Sequence, residues 1–298
     1  MLAGCSDARA MISTDEEIFS VGSEKITSKR LFDVMKLSDG GMTVVKSAQN
    51  KITENVADAD VKAEADKRLE EIKEVFGDQL EERLKQSGYE SVDAFMAQTV
   101  YPELKMTHLL KEKMVADFEA LTTENAPRKA RILQLENQEK ADEALEKIKG
   151  GENFDDVAKD YKVTGSSYDG SAKVHLLKSV QYPQEVADAL KNATEPTLSG
   201  VLSDSSDDSK YIVQIIEIDA NRYQDETIEA FVGSKDIVNQ YLAQLFVDNG
   251  FKIYDKDVYD AVAEKFPQYL NIQKTKTLNK RLSFYAIIAL EEVYYDTF

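Results

Sequence analysis

Residues 141–161 read Ala141-Asp142-Glu143-Ala144-Leu145-Glu146-Lys147-Ile148-Lys149-Gly150-Gly151-Glu152-Asn153-Phe154-Asp155-Asp156-Val157-Ala158-Lys159-Asp160-Tyr161. Ala141, Ala144, Leu145 and Ile148 recur at helical spacing, so one face is apolar and the other charged, and Gly150-Gly151 ends the helix. Phe154, Val157 and Ala158 then mark a second helix. Just upstream, Arg131-Ile132-Leu133-Gln134-Leu135 reads as a strand. Downstream, Val186, Ala189 and Leu190 mark a third helix after Pro183. Leu198 to Leu202 and Tyr211 to Ile218 read as strands, and the last is so apolar that it belongs at the centre of a sheet. The order β-α-α-β-α-β-β, with a weak middle strand, predicts a small α+β domain whose four-stranded sheet is covered by helices.

The flanking segments have another texture. Thr27 or Ser28 caps a helix carrying Leu31, Phe32 and Met35, and Val44, Val45, Ala48 and Ile52 continue the pattern. Asp58 caps a periodic helix with Val61, Ala65, Leu69, Ile72 and Phe76 on one side, stopped at Gly77. Leu80 and Leu84 form a further turn ending at Gly88. Ser91 opens a run through Leu110, which Pro102 kinks or restarts. These one-sided stripes need a partner to close their core. The expected donor is downstream: Ile228, Phe231, Val232, Val238, Tyr241, Leu242, Leu245 and Phe246, ended by Asn249-Gly250, then Val258, Tyr259, Val262 and Phe266 before Pro267. The chain therefore divides into an N-terminal linker (1–17), a helical segment (18–126), the α+β insert (127–220), a second helical segment (221–270) that completes the first, and a tail (271–298).

Composition narrows the function. With 298 residues, two domains are expected. Charged residues make up 31% against 42% hydrophobic, and no apolar run reaches the length that spans a bilayer. The net charge of -18 argues against nucleic acid. One cysteine and two histidines, His108 and His175, leave no material for a disulfide framework or thiolate zinc site and little for a histidine triad or metal. No cofactor and no metal are expected. Leu2-Ala3-Gly4-Cys5 is a small-residue turn into the single cysteine, the pattern that lipoprotein signal peptidases cut before the thiol is acylated. Only Met1 precedes it, so two readings stand: a lipid attachment site behind a clipped leader, or an ordinary exposed thiol.

The insert resembles a parvulin-type peptidyl-prolyl isomerase domain. The likeness is carried by Ala130-Arg131-Ile132-Leu133, by the run 141–161 with its Phe-x-x-Val-Ala-x-x-Tyr ending, and by Lys210-Tyr211-Ile212-Val213-Gln214-Ile215. The flanking segments resemble the chaperone part of PrsA-type foldase lipoproteins and their relative SurA: residues 22–31, 56–61, and Leu84-Lys85-Gln86-Ser87-Gly88-Tyr89 through Phe95. The resemblance spans roughly residues 18 to 270 and fits the Leu-Ala-Gly-Cys motif. It implies an extracytoplasmic, membrane-anchored protein, lipidated on Cys5, with unfolded or partly folded secreted proteins as partners. It leaves room for a homodimer.

The residues that carry isomerase chemistry in that family are replaced. The resemblance aligns its first-strand histidine with Arg131, its last-strand histidine with Tyr211, and its acid or thiol with Thr164. Its Gly-Gly-Asp-Leu-Gly-Trp-Phe run becomes Gly170-Ser171-Ala172-Lys173-Val174-His175-Leu176. The barrier to be lowered is about 18–20 kcal/mol for an ordinary peptide bond. Isomerases lower it for X-Pro by binding the twisted amide in a dry pocket with oriented dipoles. A permanent guanidinium in place of a neutral imidazole predicts weak or absent turnover. His175, Tyr182, Val186 and Leu190 are the candidates for what is left of the substrate groove, each with an alternative reading as core or loop.

Three function classes follow. The leading one is a lipid-anchored foldase or holdase, working through exposed apolar residues in a cleft between helical segment and insert. Its enzyme-class rival is an active peptidyl-prolyl cis-trans isomerase acting on exported proteins. A third is a surface binding protein that kept the scaffold. His108 reads as a surface or cleft residue. The acidic run from Asp204 to Asp208 reads as a solvated hairpin tip, lacking the Gly and closing Glu of an EF-hand. Lys274, Lys276, Lys280 and Arg281 precede the apolar 284–290, a pattern that fits a membrane contact, a packed helix or an unstructured end.

Overall fold

A computed structural model describes residues 17–21, 23–178, 181–204 and 209–270. Cys5, the tip of the acidic run (205–208) and the tail 271–298 lie outside the described residues. The chain forms two compact units, residues 1–108 with 239–298 and residues 109–238.

The first unit opens with an antiparallel hairpin, β1 (Glu17–Val21) and β2 (Glu24–Thr27). Thr27 then caps helix α1 (Ser28–Met35), its side chain accepting from the Arg30 amide. After a wide turn at Lys36–Gly40 come α2 (Gly41–Ile52) and α3 (Asp58–Phe76). The stripe on α3 is buried only in its first half: Val61 and Ala65 are core, whereas Phe76 is exposed with Arg83 over its ring. Helices α4 (Leu80–Gln86) and α5 (Val92–Phe95) follow, and α6 (Tyr101–Ala116) restarts after a wide turn, with Pro102 at its second position. Ala65, Met96 and Val100 form a local core, to which Tyr89 adds an edge contact with Phe95 and a 2.9 Å hydrogen bond to Thr99.

The second unit starts from the last turns of α6 and α7 (Phe118–Asn125), then β3 (Arg128–Leu135), α8 (Gln138–Lys149), α9 (Phe154–Tyr161) and β4 (Asp169–His175). Helix α10 (Gln184–Asn192), the short strands β5 (Thr197–Leu198) and β6 (Leu202–Ser203), the long β7 (Lys210–Glu217) and α11 (Gln224–Gly233) complete it. The sheet is antiparallel, in the order β4-β3-β7-β5 with β6 also on β7. Strands β5 and β6 occupy one edge position, interrupted where Ser199 bonds Val213 through both its amide and its hydroxyl. Four strand positions therefore carry five segments.

Period-two alternation divides the sheet into two faces. Leu133, Leu135 and Ile212 meet α8 and α9 through Ala141, Ala144, Leu145, Phe154, Val157 and Ala158. Ala130, Ile132, Tyr211, Val213 and Ile215 meet α10 through Val186 and Leu190. The 141–161 run is one whole cover of the sheet.

The unit exceeds the 127–220 expected of the insert because the flanking helices bind to it. Phe118 packs edge-on against Phe231, and the Tyr223 hydroxyl donates to the Pro127 carbonyl at 3.1 Å. The downstream helix is also not continuous. It breaks at Ser234, which is extended, giving α11 and α12 (Lys235–Asp248). Ile228 and Phe231 go with the sheet unit, and Tyr241 to Phe246 with the helical one.

Within the helical unit, α13 (Lys256–Lys265) lies on α2: Val258 reaches Gly40, and Ala261 and Val262 reach Gly41, where a Cβ would lie only 3.3 Å from that of Ala261. Asp255 caps α13 and accepts from Lys36 at 3.0 Å. Lys36 is 12% exposed, and the Asp255 and Asp257 carboxylates raise its pKa.

Candidate functional site: two faces of the inserted sheet

Arg131 alternates with Leu133 and Leu135, so its side chain belongs to the α8–α9 face. Both of its terminal nitrogens bond the Asp155 carboxylate, the second at 3.0 Å, and one also donates to the Gly170 carbonyl at 3.0 Å. The guanidinium lies 5.4 Å from the Phe154 ring centroid. Hydrogen bonding to Arg131 holds the Asp155 carboxyl below its ordinary range. Arg131 is a clamp tying the start of α9 to the sheet.

Tyr211 faces the other way. It pairs with Gln134 across β3–β7, is 3% exposed, and meets Tyr168 edge-on at 5.7 Å. Tyr168 also lies 6.5 Å from Tyr182, whose hydroxyl is 3.4 Å from His175 Nδ1. The structure thus gathers His175, Tyr182 and Tyr211 on the α10 side and places Arg131 on the opposite side. The two positions aligned with catalytic histidines do not form a pair. Thr164 sits exposed in a turn of the 162–168 loop. Val186 and Leu190, the other two groove candidates, are both 0% exposed and fill the core between α10 and β7.

Electrostatics on the α10 side favour neutral groups. Burial lowers the His175 pKa to about 4, with Lys173 adding to the effect and the Ala130 backbone opposing it. Its Nε2 is buried and without a hydrogen bond. Burial raises both the Tyr182 and Tyr168 hydroxyls above their ordinary range. Near neutral pH the cluster offers uncharged hydroxyls and one neutral imidazole.

Two contributors escaped the sequence reading, Tyr168 and Gln134. Gln134 accepts from the Ser166 hydroxyl at 2.6 Å and donates to Ser209 at 3.1 Å, fixing the loop that carries Tyr168. Strand alternation puts Gln134 on the Ile132 side, a signal present in the sequence. Tyr168 had none, since its place depends on loop closure.

Arg131→His should therefore not create isomerase activity, because the new imidazole faces α9. We expect a melting point lower by a few degrees, from the lost clamp, and an unchanged proline-peptide isomerisation rate. A rate gain of about tenfold or more would show that this side chain reaches the reacting amide.

Residues 117–228 match the model of the PPIC-type PPIASE domain. The chain is 26% identical over 287 residues to foldase protein PrsA 2 of Listeria innocua, covering 87% of this chain and 89% of that one. Among solved structures, PrsA of Streptococcus pneumoniae aligns with a TM-score of 0.44 at 20% identity, over 83% of this chain and 98% of that one. PrsA of Bacillus subtilis aligns with a TM-score of 0.41 at 21% identity, over 82% and 97%. The match to the PPIC-type model lies within the second unit. The likeness to PrsA 2 extends beyond those residues over the flanking segments.

Proposed function

We propose that this protein is an extracytoplasmic foldase for secreted proteins, held at the membrane by a lipid on Cys5, whose parvulin-type domain turns prolines weakly or not at all. The foldase reading draws on the likeness to the foldase of Listeria innocua and on the length of that match. The observation that carries the loss of turnover is the opposite facing of Arg131 and Tyr211, with the first engaged by Asp155 and the second buried. The lipid reading draws on Leu2-Ala3-Gly4-Cys5, and among the described residues no helix is long and apolar enough to cross a membrane. Exposed apolar side chains of the helical unit, such as Val75 and Phe76, offer weak, energy-independent contacts to extended client segments.

An active isomerase is the second reading. It is favoured by the neutral His175–Tyr182 pair, whose hydroxyl and imidazole resemble the dipoles such a site needs.

Aggregation of a denatured secreted protein, followed with and without the chain, tests the foldase reading. Suppression at near-stoichiometric chain is expected, equally for a client variant without proline. Suppression confined to proline-containing clients would favour the isomerase, and none would leave a scaffold adapted to another partner.

A further inference from the structure

Helix α1 is amphipathic, yet none of its residues is buried. Leu31, Phe32, Val34 and Met35 are 39%, 40%, 49% and 58% exposed, and Ile18 in β1 of the preceding hairpin is 51% exposed. Four apolar side chains at spacings of one, three and four share one helix face. Scattered exposed apolar residues need no explanation, but a contiguous set marks a contact surface. Lys29 and Arg30 open the same helix, so basic residues flank an apolar face, as in helices that lie in a bilayer interface. Lys36, bonded to Asp255 and Asp257 at 3.0 and 3.2 Å, fixes the helix end to the rest of the unit.

The position of Cys5 indicates what covers this face. Ile18 follows Cys5 by about a dozen residues, and at roughly 3.3–3.6 Å per residue the patch stays within about 45 Å of a lipid on that thiol. Tethering raises the effective concentration of the bilayer at the patch far above that of any client. The net charge of -18 acts against anionic lipid at a distance, but salt screens it within about 8–10 Å, so short-range apolar contact decides.

We propose that the apolar face of the hairpin and α1 docks on the phospholipid surface that carries the Cys5 anchor, a second contact beside the acyl chain. The inference rests on the lipid reading above. It would hold the helical unit close to the membrane, where exported chains emerge.

The chain has one cysteine and no tryptophan, which makes the test clean. Full-length Phe32→Trp protein is coupled through Cys5 to a maleimide phospholipid in phosphatidylcholine–phosphatidylglycerol vesicles, so tethering does not depend on cellular processing. With bromine-labelled acyl chains in the vesicles, the indole emission of this variant should fall at least about twofold, as for a side chain at interfacial depth. Val75→Trp, on an exposed site of α3, should be unaffected, and adding Val34→Asp and Met35→Asp to Phe32→Trp should abolish the quenching. Unquenched emission overturns the proposal. So does a blue shift independent of bromine, which would mean that a second copy or the chain's own ends cover the face. The mass of the N-terminal peptide from cells tests lipidation separately.

Discussion

Gly170→Ala is expected to destabilise the sheet-bearing unit by about 3 kcal/mol, or about 10 °C in melting temperature. Gly170 has φ of +83°, and a Cβ there would lie 2.6 Å from Ala158 Cβ and 3.2 Å from the Phe154 ring. A left-handed backbone costs an alanine about 1–2 kcal/mol. The overlap adds a similar amount, because Ala158 and Phe154 are held by the α8–α9 core and cannot retreat. The Gly170 carbonyl also accepts from Arg131, so a shift of β4 loosens the clamp. Hydrogen exchange at β3 and β7 amides should report the loss within this unit, and protection equal to that of the parent would contradict the packing described.

The second large effect is a pH dependence set by His175. Its folded pKa is about 4, against 6.5 for an ordinary histidine. Between those values the unfolded chain binds a proton that the folded chain refuses, so stability falls as pH drops from 6.5 towards 4. The shift corresponds to about 2–3 kcal/mol at the acid end of that window. His175→Phe keeps an aromatic ring beside Tyr182 and removes the titration. Urea unfolding at about pH 7 and about pH 4.5 should show a clearly smaller acid loss for the variant. Equal losses would mean that His175 is solvated or partnered in solution.

Why the insert was legible while its chemistry was not is a matter of range. The 141–161 run carries its own instructions: apolar residues at helical spacing, the Gly150–Gly151 turn and the Asn153 cap, all local. The same holds for β7, whose largely apolar composition favours a central place. The facing of Arg131 was also available, since Leu133 and Leu135 share its parity. Alignment to a catalytic position concealed it. Val186 and Leu190 look alike as groove or core in one dimension, and only the closure of α10 over β7 decides. The division of the downstream helix needed the backbone of Ser234, because the apolar period runs through Gly233 without interruption. Tyr168 reaches Tyr211 by way of a loop held by Ser166 and Gln134, contacts that no spacing rule encodes.

This separation of faces bears directly on function. An imidazole pair across a sheet can share a twisted amide, whereas a guanidinium under one face and a phenol under the other cannot. On the proposed reading, the domain holds chains and turns prolines weakly or not at all.

The most direct measurement is the cis/trans isomerisation rate of a short X-Pro peptide by exchange NMR, at chain concentrations that suppress client aggregation. The expected rate is at or little above the uncatalysed one, which relaxes over tens to hundreds of seconds at about 25 °C. Acceleration to the level of an active parvulin, abolished by His175→Phe or Tyr182→Phe, would contradict it.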